Sequence, residues 1–366
     1  MARSETGAAR VAGLALTAAL ATTLLAACDP ASGATTSGAS DPRATATATP
    51  IPTNPRYEEG IAFPRWGEHV YGASDQSWAQ DVVAMRAQTG AQWVEMIVSF
   101  TQATLTSADV TRGSSTPAPD DLYVGVKNAR AAGLKVYVKP LLNVRDAADT
   151  WNGDISFTSE AAARAWFQSY WAAYKPYAQA AASAGASQLS LGAEYSKLQN
   201  EYPDQWRWLI DQVSAVFHGP LTYELNHDTI SGTEPAWLRD PRITYVGVSM
   251  YLSLQSTPRD ISASQVAQLW RTLIIPRLDA FSRAEGKRVL LSEVGYRNTA
   301  DCLWNPWTHT SSAPADPTLQ GAAYQAALSE TMADTHIAGA FFWAWQNGIF
   351  TPGQPAIQAL HSAYTA

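Results

Sequence analysis

From residue 57 onward, short runs of apolar and β-branched residues recur between longer stretches whose apolar positions fall at helical spacing. Eight short runs can be counted, at 60–63, 93–100, 135–139, 188–192, 221–225, 244–250, 288–292 and 338–343. Between them the spacing predicts helices, among them 77–89, 161–184, 204–216, 263–283 and 319–335. Several runs are apolar almost throughout, as strands covered on both faces should be. Strands alternating with helices imply parallel strands joined by crossovers, a grammar shared by open doubly wound sheets and closed barrels. The open sheet would carry a Gly-x-Gly-x-x-Gly turn after its first strand, and none is present. Polar and aromatic residues instead recur at the C-terminal ends of many different runs, where an eight-stranded barrel assembles its site. The expected fold is therefore α/β, a single (β/α)8 TIM barrel over residues 57–366, with no internal repeat beyond the β/α alternation.

Ahead of the barrel the pattern changes twice. Arg3 and Arg10 give a positive start, residues 11–27 are small and apolar, and the stretch ends in Leu25-Ala26-Ala27-Cys28. Small residues before a cysteine suit a lipoprotein signal peptidase, after which the thiol carries diacylglycerol. Residues 1–27 are thus expected to be a signal peptide and Cys28 the lipidated N-terminus, which puts the protein outside the cytoplasm on the cell membrane. An ordinary signal peptide followed by a chance cysteine is the alternative. Residues 28–56 are rich in Ser, Thr, Ala and Pro, have little to bury, and read as a disordered tether.

Composition narrows the classes further. The chain has two cysteines, so with Cys28 modified Cys302 has no partner, and the core alone must hold the fold. The formal charge of −7 becomes −8 once Arg3, Arg10 and Glu5 leave with the signal peptide. A mildly acidic surface argues against nucleic acid and against a polybasic membrane patch, so any membrane contact is through the anchor. The 14 Trp and 15 Tyr supply many flat amphipathic rings, which carbohydrate surfaces use and cores also absorb. A monomer without metal or organic cofactor is expected.

Two glutamates stand where a buried run opens into a loop: Glu194 closes Leu189-Ser190-Leu191-Gly192-Ala193-Glu194, and Glu293 closes Leu290-Leu291-Ser292-Glu293. The fourth and seventh strands of a barrel face each other across its mouth. Hydrolysis of a glycosidic bond with retention needs one carboxylic acid to protonate the leaving oxygen and one carboxylate to attack the anomeric carbon. Either residue alone could be a salt-bridged or solvated side chain. The pair points to a polysaccharide or oligosaccharide substrate.

Gly192-Ala193-Glu194, Leu221-Thr222-Tyr223-Glu224-Leu225-Asn226, Gly247-Val248-Ser249-Met250-Tyr251, Ser292-Glu293-Val294-Gly295-Tyr296 and Phe342-Trp343-Ala344-Trp345 together resemble glycoside hydrolase family 113. So do Leu134-Lys135-Val136-Tyr137-Val138-Lys139-Pro140 and Trp151-Asn152-Gly153. That family contains retaining β-1,4-mannanases of the large (β/α)8 clan A. The resemblance runs from Gly60 to Trp345 and rests on the order of short motifs, none decisive alone. It implies Glu194 as general acid/base, Glu293 as nucleophile, and Tyr251 as a hydroxyl donor that keeps Glu293 ionised. Trp343 or Trp345 would floor the reacting subsite, the two sharing a face by strand alternation. Gln102, Lys139, Trp151, Asn226 and Tyr296 become candidate sugar contacts, with core or rim roles as their alternatives.

Two positions depart from the clan. Ala193 stands where much of clan A has Asn, and Asn226 is the candidate to replace that amide. Glu224 adds a third carboxylate, expected to pair with Lys139 or another cation as a buried structural ion pair, or else to shift the acidity of Glu194. His227 and Asp228 are adjacent, so they point to opposite faces of a strand, and no second His-rich segment completes a metal site. The alternatives at this stage are a sugar-binding lipoprotein that does not cut, or a clan A hydrolase acting on β-glucan or xylan.

Overall fold

The structure, a computed structural model, describes residues 56–146, 150–230 and 234–366. The expected signal peptide, Cys28 and residues 28–55 of the expected tether lie outside these. Among the described residues no helix is long and apolar enough to cross a membrane.

Eight parallel strands form the sheet: β1 Glu58–Ala62, β2 Trp93–Gln102, β3 Lys135–Val144, β4 Gln188–Ala193, β5 Leu221–Asn226, β6 Ile243–Ser249, β7 Val289–Val294 and β8 Ile337–Phe342. Each pairs with the next in order, and β1 pairs with both β2 and β8, so the sheet closes into a (β/α)8 barrel. A two-residue strand, Thr111–Arg112, adds antiparallel to the end of β2. Every residue of β2 is buried, because the strand faces the barrel interior on one side and helices on the other.

The helix expected at 263–283 is interrupted. It runs Ala263–Leu269, widens to a π turn at Trp270–Ile274, and resumes as Ile275–Glu285. Pro276 has no N–H to give the preceding turn, so the ladder must slip there. Two further helices, Pro119–Ala131 and Gln354–Tyr364, complete the outer ring.

Most of the aromatic load lies between strands and helices. Trp166 stacks on Tyr170 with centroids 5.0 Å apart, and Trp206 stacks on Trp237 at 4.5 Å, all four buried. Each such pair adds about 0.5–1.5 kcal/mol beyond burial. Core packing therefore accounts for much of the Trp and Tyr content.

The interior is stacked in layers by strand alternation. The base gathers Trp93, Tyr137, Leu290 and Phe341 in one cluster, with the Tyr137 hydroxyl bonded to Thr222. Gly60 makes room for this layer, since a Cβ there would lie 2.4 Å from the Phe341 ring. One step up are Glu95, Lys139 and Glu224, all buried. Above them an apolar rim gathers Ile97, Tyr251 and Trp343.

After β7 the chain wraps a buried cation. The Arg297 guanidinium donates to the carbonyl oxygens of Asp301, Trp304, Asn305 and Thr308 and lies 3.2 Å from the Asp301 carboxylate. That wrapping fixes the loop that brings Trp307 and His309 to the mouth.

Candidate active site

A cleft of about 270 Å³ opens at the C-terminal mouth, with Glu194 and Glu293 both in its wall. Local irregularities of the sheet put them there. Opposite β5, Ser190 pairs with Thr222 but Ala193 with Glu224, so β4 carries one extra residue just before Glu194. Opposite β6, Gly247 pairs with Leu290 but Ser249 with Glu293, so β7 likewise carries one extra residue. A bulge re-aims the side chain that follows it. Without it, alternation from Leu290 would send Ser292 inward and Glu293 outward. Glu194 completes its turn with φ of 59°, uncommon for a residue with a side chain, and its N–H is held by the Glu224 carbonyl oxygen at 2.8 Å.

The two carboxylates live in different surroundings. Glu194 accepts from Asn226 Nδ2 at 2.8 Å, from Trp151 Nε1 at 3.2 Å, and from the Ser249 hydroxyl. Burial, reinforced by the negative charge of Glu293, nevertheless pushes its carboxyl up to about 7. Glu293 accepts from Lys139 Nζ at 2.6 Å on one oxygen and from the Tyr251 hydroxyl at 3.0 Å on the other. Burial first, then the Glu293 charge, hold the Tyr251 phenol well above its ordinary range, so it stays a neutral donor. One site thus offers a carboxyl that keeps a proton near neutrality opposite a carboxylate gripped by a cation, the division of labour that acid and nucleophile require.

Of the expected sugar contacts, the structure brings Trp151 and Asn226 to the site, where both bond Glu194. Trp343 lines the cleft. Four positions need correction. Lys139 is wholly buried among carboxylates and cannot touch a sugar, because its side chain points into the closed interior. Gln102 falls on the outward face of β2, where Nε2 donates to the Thr104 carbonyl oxygen and Oε1 accepts from Trp166 Nε1. Tyr296 lies between barrel and helices, its hydroxyl accepting from Trp270 Nε1. Trp345 joins that same outer core while Trp343 joins the rim. β8 ends at Phe342, so strand alternation does not carry through Trp343 to Trp345.

Residues that sequence reasoning missed include Ser249 on Glu194, Glu95 beside Lys139, and Trp66, Trp307 and His309 in the cleft wall. Trp66 is 40% exposed, with its ring 6.5 Å from that of Trp343, so aromatic surface continues outward from the rim. Glu95 had a readable signal, a lone charge inside an apolar run. The others sit on loops or rely on parity that the bulges disturb. Among the described residues, the three groups Asp279, Asp334 and His336 come close enough to share a cation, but Asp279 is on the helix Ile275–Glu285 and the other two are in the loop that enters β8 at its N-terminal end, partly exposed and away from this mouth.

The sequence model described as Glycoside Hydrolase Family 113 matches residues 66–365. Among solved structures, a β-1,4-mannanase of that family superimposes with a TM-score of 0.71 at 20% identity, over 85% of this chain and 99% of its own. The β-mannanase AaManA from Alicyclobacillus acidocaldarius, solved in complex with ManMIm, gives 0.72 at 22% identity over 84% and 97%. A family 5 mannosidase from Rhizomucor miehei gives 0.54 at 11% over 84% and 92%. Among curated proteins none matches the chain.

Proposed function

The chain belongs to glycoside hydrolase family 113, and we propose that it cleaves β-1,4-linked glycans with retention, mannan or manno-oligosaccharides first among them. Glu194 is the general acid/base and Glu293 the nucleophile. The observation that carries this is the unequal treatment of the two carboxylates: burial and a neighbouring anion favour the proton on Glu194, while Lys139 and Tyr251 both donate to Glu293.

In the first half-reaction a Glu293 oxygen attacks the anomeric carbon while Glu194 gives its proton to the departing oxygen. The glycosidic C–O bond breaks and a glycosyl ester forms on Glu293. In the second, Glu194, now a carboxylate, takes a proton from a water whose oxygen attacks the same carbon and frees Glu293. Trp343 floors the reacting sugar, and Asn226 and Trp151 steady Glu194. Substrate choice rests on likeness to mannanases that are only 20–22% identical.

Reducing-sugar release from β-1,4-mannan, xylan and β-glucan, with NMR of the first anomer formed, tests both levels. Mannan should be cut and the β-anomer appear first. Cleavage of xylan or β-glucan alone would replace the substrate, and a first α-anomer would overturn double displacement. The rate should fall as pH rises through about 7, where Glu194 loses its proton; a rate that keeps rising there would remove Glu194 as the acid. The lipid anchor at Cys28 is a proposal of the same kind, motivated by Leu25-Ala26-Ala27-Cys28. Mass spectrometry of the mature N-terminus should find a diacylated cysteine, and an unmodified start beyond it would refute the anchor.

A further inference from the structure

We propose that Lys139 acts on the reaction through Glu293, fixing that side chain in place as the anion, and that Glu224 stays protonated so that this single cation is committed to Glu293. The inference rests on Glu293 being the nucleophile.

Its basis is a mismatch of charge. Lys139 Nζ is 2.6 Å from Glu293, 2.8 Å from Glu224 and 3.0 Å from Glu95, and it also donates to the Ser292 carbonyl oxygen at 3.3 Å. Three carboxylates share one ammonium, and among the described residues no other cation forms an ion pair with any of them. A single ammonium can offset only one of the three negative charges. With all three ionised, the cluster would carry a net charge of about −2 in a largely buried region, and burying unpaired charge is very costly.

Protonation of two carboxylates leaves one ammonium and one anion. Which anion remains follows from position: Glu95 is wholly enclosed and Glu224, though it reaches the cleft wall, is 1% exposed, whereas the Glu293 side chain is 13% exposed to the cleft. Burial pushes Glu95 up to about 8 and Glu224 well above the carboxylate range, in the same direction. Burial pulls the Lys139 ammonium down, but Glu224, Glu293 and Glu95 outweigh it and keep the ammonium charged.

The remaining titratable groups around Glu293 do not supply a competing cation. Glu194 faces it from the end of β4, the Tyr251 phenol from beyond β6, and His309 from the loop after β7. Burial lowers the His309 imidazole, so it is neutral near pH 7. Tyr137, next to Lys139 in the layer below, shares a 2.8 Å hydrogen bond with Thr222. Lys139 is therefore a positioning residue, and Glu224 is the carboxyl that yields the cation to Glu293.

The test uses the full chain with Glu224→Gln and Lys139→Met. Gln keeps the shape and an acceptor oxygen for Lys139 but cannot hold a carboxylic proton. Infrared difference spectra at neutral pH should show that Glu224→Gln loses one C=O band of a buried protonated carboxyl. The acidic limb of its kcat/KM profile on an aryl glycoside should not move. Lys139→Met should move that limb up by about 1–3 pH units and lower kcat on the order of 10²-fold with little change in KM. An unchanged band pattern in Glu224→Gln, or an acidic limb displaced to lower pH, would mean that Glu224 is an anion competing for Lys139 and would overturn the proposal. So would a Lys139→Met profile with its acidic limb in place; should that variant not fold, Glu224→Gln decides alone. The infrared measurement needs no substrate, so its failure is distinct from failure of the nucleophile assignment, which would appear as turnover surviving in Glu293→Ala.

Discussion

Glu293→Ala should abolish turnover of every glycan, activated or not, with kcat falling on the order of 10⁶-fold, the loss seen when a covalent nucleophile is removed. No glycosyl ester can form, and a better leaving group cannot compensate for a missing bond partner. The truncated side chain also leaves space beside Lys139 Nζ, which had been 2.6 Å from the lost oxygen. Azide fits such a space and is drawn to the cation. It should attack from the nucleophile's side and give an α-glycosyl azide, identified by NMR. Turnover within tenfold of the parent would exclude Glu293 as the nucleophile.

Glu194→Ala should fail in a different way. Loss of general acid catalysis costs about 10²–10⁴ in rate on a natural glycan, whose leaving oxygen needs the proton. An aryl glycoside with a good leaving group should react at nearly the parent rate in the first half-reaction, then stall as the ester on Glu293 awaits a base. Burst kinetics would record that stall. Added azide needs no base and should restore turnover with a β-glycosyl azide. The α product from this variant would show that the two roles have been exchanged.

The barrel was legible because its signal is repeated. Runs such as 188–192 and 221–225 alternate with helical spacing, and an error of a residue or two at an end leaves the topology intact. Strand ends were less legible: β2 and β3 extend to Gln102 and Val144 because ten residues of each pair with the other, a fact of tertiary register. Glu194 and Glu293 could be picked out as polar residues closing buried runs. Their inward direction could not, since it depends on one extra residue in each strand. The same limit misplaced Gln102, whose parity with Phe100 puts it against the helices, and Tyr296 and Trp345, which lie beyond the last residues of their strands. In the sequence Lys139 is a polar residue near a strand end, and only the closed barrel shows it meeting Glu95 and Glu224 from two other strands.

The layering of the interior has an electrostatic consequence. Below Lys139 the barrel is packed with Trp93, Tyr137, Leu290 and Phe341, and the one hydroxyl among these four, that of Tyr137, is tied to Thr222 at 2.8 Å. Above it lies the cleft. With the floor packed and its hydroxyl tied, the group nearest at hand to answer the charge of Lys139 from above is the Glu293 carboxylate, 2.6 Å away at the cleft. The dipoles that shape the field there are fixed by strands already folded and need not turn when charge develops on the substrate. The barrel floor is thereby part of the instrument: exchanging the tied Tyr137–Thr222 pair for groups free to turn would let a mobile dipole answer Lys139 from beneath and weaken its hold on Glu293.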